Sequence, residues 1–191
     1  MTESRENMTR ALKYVAVAAF TFQGVHFLEH IAQLGYWLLH PSEAPWITPW
    51  AIPARDALAV AGEVPLGNEL LHLTGNLVFL GGLLALAVYW SKRGGKASPH
   101  LRTTLWVQGI HMVEHVALTA STIIFGKAVG LSTFLGLVSG PAMTSYRVWF
   151  HFLINLVATW YAGRAILALH RQGLLVESGS KIQPAASASQ P

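Results

Sequence analysis

Four long, mostly apolar blocks follow one another along this chain. They cover Tyr14 to Leu39, Leu70 to Trp90, Thr103 to Phe125 and Val148 to Leu169, with segments richer in polar residues, glycine or proline between them. Each block reaches or exceeds the ~20 residues that an α-helix needs to cross a bilayer. The pattern predicts an all-α integral membrane protein, built as a four-helix bundle.

Polar residues interrupt the first and third blocks with nearly the same phrase. QGVHFLEH occupies Gln23 to His30, and QGIHMVEH occupies Gln108 to His115. Residues three and four apart are neighbours on a helix, so the two imidazoles and the carboxylate of each copy share one face. Such a set can close on one metal ion. The ligands predicted from the two copies are His26, Glu29, His30, His111, Glu114 and His115.

The second and fourth blocks also match each other. His72 and Asn76 are four residues apart in the second, and His151 and Asn155 repeat that spacing in the fourth. We predict that both histidines are further metal ligands. Asparagine binds transition metals poorly but orients imidazoles well, and the two motif glutamines are similarly placed. The side chains predicted to orient the ligands are Gln23, Asn76, Gln108 and Asn155.

The matching pairs predict two two-helix repeats of the same orientation, related by a pseudo-two-fold axis along the membrane normal. The first repeat is residues 14–90 with an outer loop at 40–67, and the second is 103–170 with an outer loop at 126–147. The remaining segments are an N-terminal stretch at 1–13, a basic turn at 91–102 and a tail at 171–191. The tail is rich in Ala, Ser, Gln and Pro, which predicts disorder.

The distribution of lysine and arginine predicts the orientation. Only Arg55, Lys127 and Arg147 fall in the outer loops, and the other basic residues flank the opposite ends of the blocks. Basic residues favour the cytoplasmic side, so both termini are predicted to be cytoplasmic in a multi-pass protein of the cell membrane. The excess of 13 basic over 9 acidic residues then reflects topology and contact with the lipid bilayer, with no nucleic-acid partner.

Composition narrows the site chemistry. The chain is 52% hydrophobic and only 12% charged, and it has no cysteine, which excludes thiolate ligands, disulfides and iron–sulfur clusters. The nitrogen and oxygen ligands that remain suit iron, copper, zinc or manganese rather than calcium or magnesium. A carboxylate in hydrocarbon must be paired, protonated or bound to a cation. We therefore expect a dinuclear site, with Glu29 and Glu114 placed to bridge two metals.

The leading functional hypothesis is a metal-dependent membrane oxidoreductase that acts on a lipid-soluble or small substrate, with a membrane redox partner or a second copy of the chain as partner. Two alternatives stay open: an electron-transfer subunit with haem b, and a transporter of transition metals or protons. Haem gains nothing from a carboxylate three residues away. The role of Glu69, just before the second block, is open between an interfacial residue, a proton relay and a ligand.

Overall fold

The described part of the protein is all-helical. The computed structural model describes residues 2–41, 46–94, 98–137 and 139–173, and no strand occurs among them. Its helices are α1 (Thr2–Leu39), the short α2 (Ile52–Leu58), α3 (Val64–Lys92), α4 (Pro99–Phe125) and α5 (Gly140–Arg171), with two 3₁₀ segments at Val60–Gly62 and Leu131–Gly136. The all-α prediction is confirmed. The disorder predicted for the tail falls mostly on residues 174–191, outside the described residues.

Three helices are long and apolar enough to cross a membrane. They are Glu6–Leu39 within α1, Val64–Lys92 and Gly140–Arg171. Three of the four expected spans are therefore candidates for crossing a membrane by length and composition, which is consistent with a membrane protein. Helix α4 has 27 residues, but it carries four titratable or amide side chains of the third block together with several Ser and Thr, which lower its hydropathy. Its placement in the bilayer stays a prediction.

The helices run further than the apolar blocks predict. Helix α1 begins at Thr2 instead of Tyr14, and α5 begins at Gly140 instead of Val148. Helix α4 starts at Pro99, where the hydroxyl of Ser98 accepts a 3.2 Å hydrogen bond from the backbone N–H of His100. Proline in the first turn and serine just before it are favoured helix starts. Hydropathy alone does not detect these polar extensions.

The four long helices pack around one shared interior. Helix α1 contacts α3 and α5, and α4 contacts the same two helices. We call the end at which α3 passes into α4 the turn end. The opposite end, which carries the connections from α1 to α3 and from α4 to α5, is the loop end.

The interior is apolar at the turn end. Tyr89, Trp90, Leu101 and Leu169 are at most 1% exposed there and belong to one hydrophobic cluster. Bulky side chains in close contact leave no room for an aqueous path. Apart from Thr104, whose hydroxyl donates to the carbonyl of His100, the buried polar residues of the long helices lie further toward the loop end.

Candidate metal centre

All six histidines of the four matching segments meet in the shared interior. His26 and His30 come from α1, His72 from α3, His111 and His115 from α4, and His151 from α5. From the ring centroid of His72, the distances are 5.8 Å to His26, 5.9 Å to His30, 5.5 Å to His115 and 6.1 Å to His151. The helical faces predicted from spacing therefore do converge in one cluster.

The two histidines of each motif already lie at the separation of metal ligands. Their Nε2 atoms are 3.2 Å apart in the pair His26 and His30, and 3.0 Å apart in the pair His111 and His115. For metal–nitrogen bonds of about 2.0–2.1 Å, two nitrogens on one ion are roughly 2.9–3.4 Å apart, depending on the bond angle. Each pair can thus bind one ion through Nε2 with little movement.

A third imidazole completes a set of three in the α4 and α5 half. His111, His115 and His151 are all buried, and each offers a ligand atom within 4.8 Å of the other two. This group could hold a metal ion. In the other half, the rings of His26 and His30 lie 5.8 and 5.9 Å from His72. That half therefore also has three histidines, but they are arranged more loosely.

Backbone carbonyls orient the two histidines that stand outside the motifs. Nδ1 of His72 lies 2.8 Å from the carbonyl oxygen of Asn68, and Nδ1 of His151 lies 2.9 Å from that of Arg147. A carbonyl oxygen can only accept, so Nδ1 carries the proton and donates in both rings. Nε2 is then the free lone pair. In His151 this atom is buried and has no hydrogen-bond partner among the described residues.

The four amide side chains predicted to orient ligands form two crossed links. Gln23 on α1 donates from Nε2 to Oδ1 of Asn155 on α5 over 3.0 Å, and Gln108 on α4 donates to Oδ1 of Asn76 on α3 over 2.7 Å. Each asparagine in turn donates to the backbone carbonyl of the histidine one turn earlier, over 2.9 Å for Asn155 and 2.8 Å for Asn76. The amides therefore tie neighbouring helices together directly beneath the imidazoles.

Glu29 joins the first motif to the outer loop. Its Oε1 accepts a 2.9 Å hydrogen bond from the hydroxyl of Thr48, which is fully buried. Its Oε2 faces Nδ1 of His26 at 3.8 Å. A carboxylate beside the far nitrogen of a metal-binding imidazole is a common way to fix the ring and raise its basicity.

Glu114 has a stronger attachment to the second outer loop. Its carboxylate accepts hydrogen bonds from the backbone N–H groups of Leu131 and Ser132, at 2.7 and 2.8 Å, and from the Ser132 hydroxyl at 2.6 Å. The loop approaches so closely that a Cβ at Gly130 would lie 2.6 Å from Oε1 of Glu114. With these donors in place, the glutamate anchors the loop.

A cavity connects the histidine cluster with the loop end. Its volume is about 340 Å³, and His30, His72 and His151 contribute to its wall. Apolar and aromatic side chains, among them Trp37 and Trp46, form much of the rest. Ligand sites typically begin at ~300 Å³ and are mostly apolar with a few placed polar groups. A small molecule can therefore reach the imidazoles.

Spacing along the chain did not reveal three residues of this site. Arg147 forms an ion pair with Glu69 in the cavity wall, with Nη2 and Oε1 at 2.5 Å, and Thr48 and Ser132 hold the two motif glutamates. Thr48 and Ser132 lie outside the long helices, where the period of an α-helix does not apply, whereas Arg147 lies in α5 one turn before His151. The only sequence signal was the charge of Arg147, which had been attributed to topology.

One family model matches the chain over residues 2–190. It is described as a family of unknown function, DUF6008. No curated protein matches the chain, and neither does any solved structure.

Proposed function

We propose that this chain, which belongs to the DUF6008 family of unknown function, is an integral membrane metalloprotein whose converging imidazoles bind transition-metal ions. The observation that carries the proposal is the buried set His111, His115 and His151, with ligand atoms within 4.8 Å of one another. Polar groups are costly to bury in a membrane protein and usually mark a functional site. Imidazoles from four separate helices form a costly buried cluster unless a cation draws them together.

Two metal ions fit the proposal best. Each half supplies two motif imidazoles with Nε2 atoms 3.0 or 3.2 Å apart and a third from the neighbouring helix. The crossed links from Gln23 to Asn155 and from Gln108 to Asn76 support the idea of two related two-helix repeats. Imidazole suits iron, copper and zinc, so the metal is sought among these.

The motif glutamates enter the proposal as anionic neighbours of the metals. Glu29 faces His26 at 3.8 Å, and Glu114 is held by three donors of its loop. Their negative charges offset that of the ions in a medium of low dielectric constant. The prediction that they are ligands or bridge two metals stays a prediction, and these hydrogen bonds favour the indirect role.

The proposed activity is that of an oxidoreductase for a lipid-soluble or small substrate, in the cell membrane and with cytoplasmic termini. The cavity of about 340 Å³ that reaches three of the imidazoles supports a catalytic centre over a purely structural metal site. Catalytic metals keep an open position for substrate. Electrons would come from the substrate, from a membrane redox partner or through a second copy of the chain.

The two other hypotheses have less support. A porphyrin is much wider than an imidazole, and His72 has four other histidine rings between 5.5 and 6.1 Å away, which leaves little space for bis-histidine haem b. Transport needs a polar path through the bilayer. The turn end is instead filled by side chains such as Tyr89 and Trp90, at most 1% exposed.

Metal analysis of the purified protein, together with its optical spectrum, tests the proposal. We expect about two equivalents of a transition metal, no haem absorption, and the loss of about one equivalent in each of the double variants His26→Ala/His30→Ala and His111→Ala/His115→Ala. His100→Ala is the matched control, since this histidine lies toward the turn end, with its ring centroid 5.9 Å from that of Tyr161. Unchanged metal content in both double variants would refute the ligand assignment, and a single shared equivalent would refute the dinuclear part.

A further inference from the structure

The cavity wall carries buried acceptor atoms that the metal proposal does not use. Oε1 of Glu69 pairs with Arg147, but Oε2 is buried without a hydrogen-bond partner among the described residues, and the same holds for Oδ1 of Asn68. Both side chains line the cavity. A buried acceptor without a donor is costly, so such an atom in a cavity wall indicates a bound donor. A complementary ligand presents O–H or N–H donors to these two acceptor atoms.

The charge and the aromatic surface of the cavity wall narrow the chemical class of that ligand further. Arg147 already balances the carboxylate of Glu69, so the pair is neutral and does not call for a charged ligand. Tyr36, Trp37 and Trp46 form an aromatic part of the wall, with Tyr36 and Trp46 stacked at 4.9 Å. Aromatic rings favour flat apolar partners in offset or edge-to-face contact. A neutral aromatic body with hydroxyl groups meets both conditions.

Helical geometry relates this polar pair to the imidazoles. Glu69 precedes His72 by three residues on α3, and Arg147 precedes His151 by four on α5, so the ion pair lies about one turn, ~5 Å, above these rings. That height is comparable to the distance between two para oxygens on a benzene ring. One molecule can therefore bond to Glu69 with one hydroxyl and direct the other toward the histidine cluster.

We infer that the cavity is a binding site for a small neutral hydroxyaromatic molecule of the phenol or hydroquinone class, with Oε2 of Glu69 as the acceptor for one hydroxyl. The inference rests on the proposed function only in that it names the substrate class of that centre. Binding itself requires the cavity, the carboxylate and the aromatic wall. Glu69 is thus a specificity-determining residue for this class of molecule.

Calorimetric titration of the detergent-solubilised protein with 1,4-hydroquinone tests the site, with protein-free micelles as blank. Two matched probes separate its parts: 1,4-dimethoxybenzene keeps the ring but lacks the donors, and cyclohexane-1,4-diol keeps the hydroxyls but lacks the ring. We expect saturable binding of about one hydroquinone per chain and at least ~10-fold weaker binding of both analogues. The dimethoxy compound leaves a charged acceptor without its donor, and the diol loses the contacts of a flat ring with the aromatic wall. Equal binding of the dimethoxy compound overturns the role of the donors, and equal binding of the diol overturns the aromatic class.

The variant Glu69→Gln should weaken hydroquinone binding about 10-fold and leave the metal content unchanged. Glu63→Gln is its control, because Glu63 is exposed just before α3 and does not line the cavity. If Glu69→Gln does not fold, Val64→Phe narrows the cavity without touching the ion pair and should weaken binding similarly. Full binding in a folded Glu69→Gln or Val64→Phe protein refutes the site.

Metal without hydroquinone binding refutes this inference alone, whereas hydroquinone binding without metal refutes the proposed metal centre alone.

Discussion

The two glutamates of the repeated motif occupy equal sequence positions but have different surroundings. Glu29 receives one hydrogen bond from a side-chain hydroxyl, whereas Glu114 receives three, two of them from backbone N–H groups. The loop that Glu114 holds contains Phe134 and Leu135 with φ of +51° and +54°. Side chains other than glycine are strained in this left-handed region, at a cost of order 1–3 kcal/mol each. The carboxylate helps to stabilise this strained turn.

This difference predicts unequal effects of removing the charge. Glu114→Gln turns one acceptor oxygen into an amide NH₂ that faces a backbone N–H, so it should lower the free energy of unfolding by about 2 kcal/mol or more. Glu29→Gln keeps an acceptor for Thr48 and should cost less than about 1 kcal/mol. Thermal melting of both variants in detergent measures the contrast. Equal losses of melting temperature in the two variants would mean that the donors of the second outer loop hold Glu114 no more firmly than Thr48 holds Glu29.

At the scale of the elements, small residues set the distance between α1 and α3. A Cβ added at Gly82 would collide with the Cβ of Ala19 on α1, whereas a Cβ at the adjacent Gly81 would meet nothing within 4 Å. Small residues at such positions let membrane helices approach closely and bring their polar groups within reach. The same approach brings His26 and His72 of these helices together.

Alanine at these two neighbouring glycines should have opposite effects. Gly82→Ala forces α1 and α3 apart and should destabilise the fold by about 1–3 kcal/mol. Gly81→Ala adds a methyl group in open space and should be neutral or stabilising by up to about 1 kcal/mol, since alanine is the better helix former. Denaturation in mixed detergent micelles compares the two. Equal stability of both variants would mean that the close contact between α1 and α3 does not form.

At the scale of the whole molecule, the interior has two parts. The histidine cluster and its cavity lie toward the loop end, and the hydrophobic cluster that contains Tyr89 and Trp90 lies at the turn end. The basic residues Lys92 and Arg93 lie at the turn end, and the cavity opens toward the loop end. The prediction that these positive charges lie on the cytoplasmic side implies a cavity that faces the exterior or the outer leaflet. Substrate and metal would then enter from that side.

Reporter fusions check this orientation. A reporter inserted after Gly94 and one after residue 173 should both be cytoplasmic, and one inserted near Asp56 should be external, because the basic residues flank the turn end. An external position for the Gly94 reporter would contradict both the predicted orientation and the outward-facing cavity.

The length of the apolar blocks predicted the four long helices, and helical periodicity predicted the faces of the six histidines and the positions of the four neighbouring amides. These features depend on neighbours three and four residues apart, so local geometry is enough to predict them. The polar first turns of α1 and α5 escaped prediction because hydropathy marks the membrane-spanning part of a helix and not its ends.

Only the tertiary structure decided which groups meet across the chain. Glu69 and Arg147 pair over 78 residues, and Thr48 and Ser132 reach the motif glutamates from loops that have no period. The sequence predicted these glutamates beside the imidazoles but not their loop partners. Contacts of this kind depend on how loops close over packed helices, and that closure leaves no regular spacing in the sequence to read.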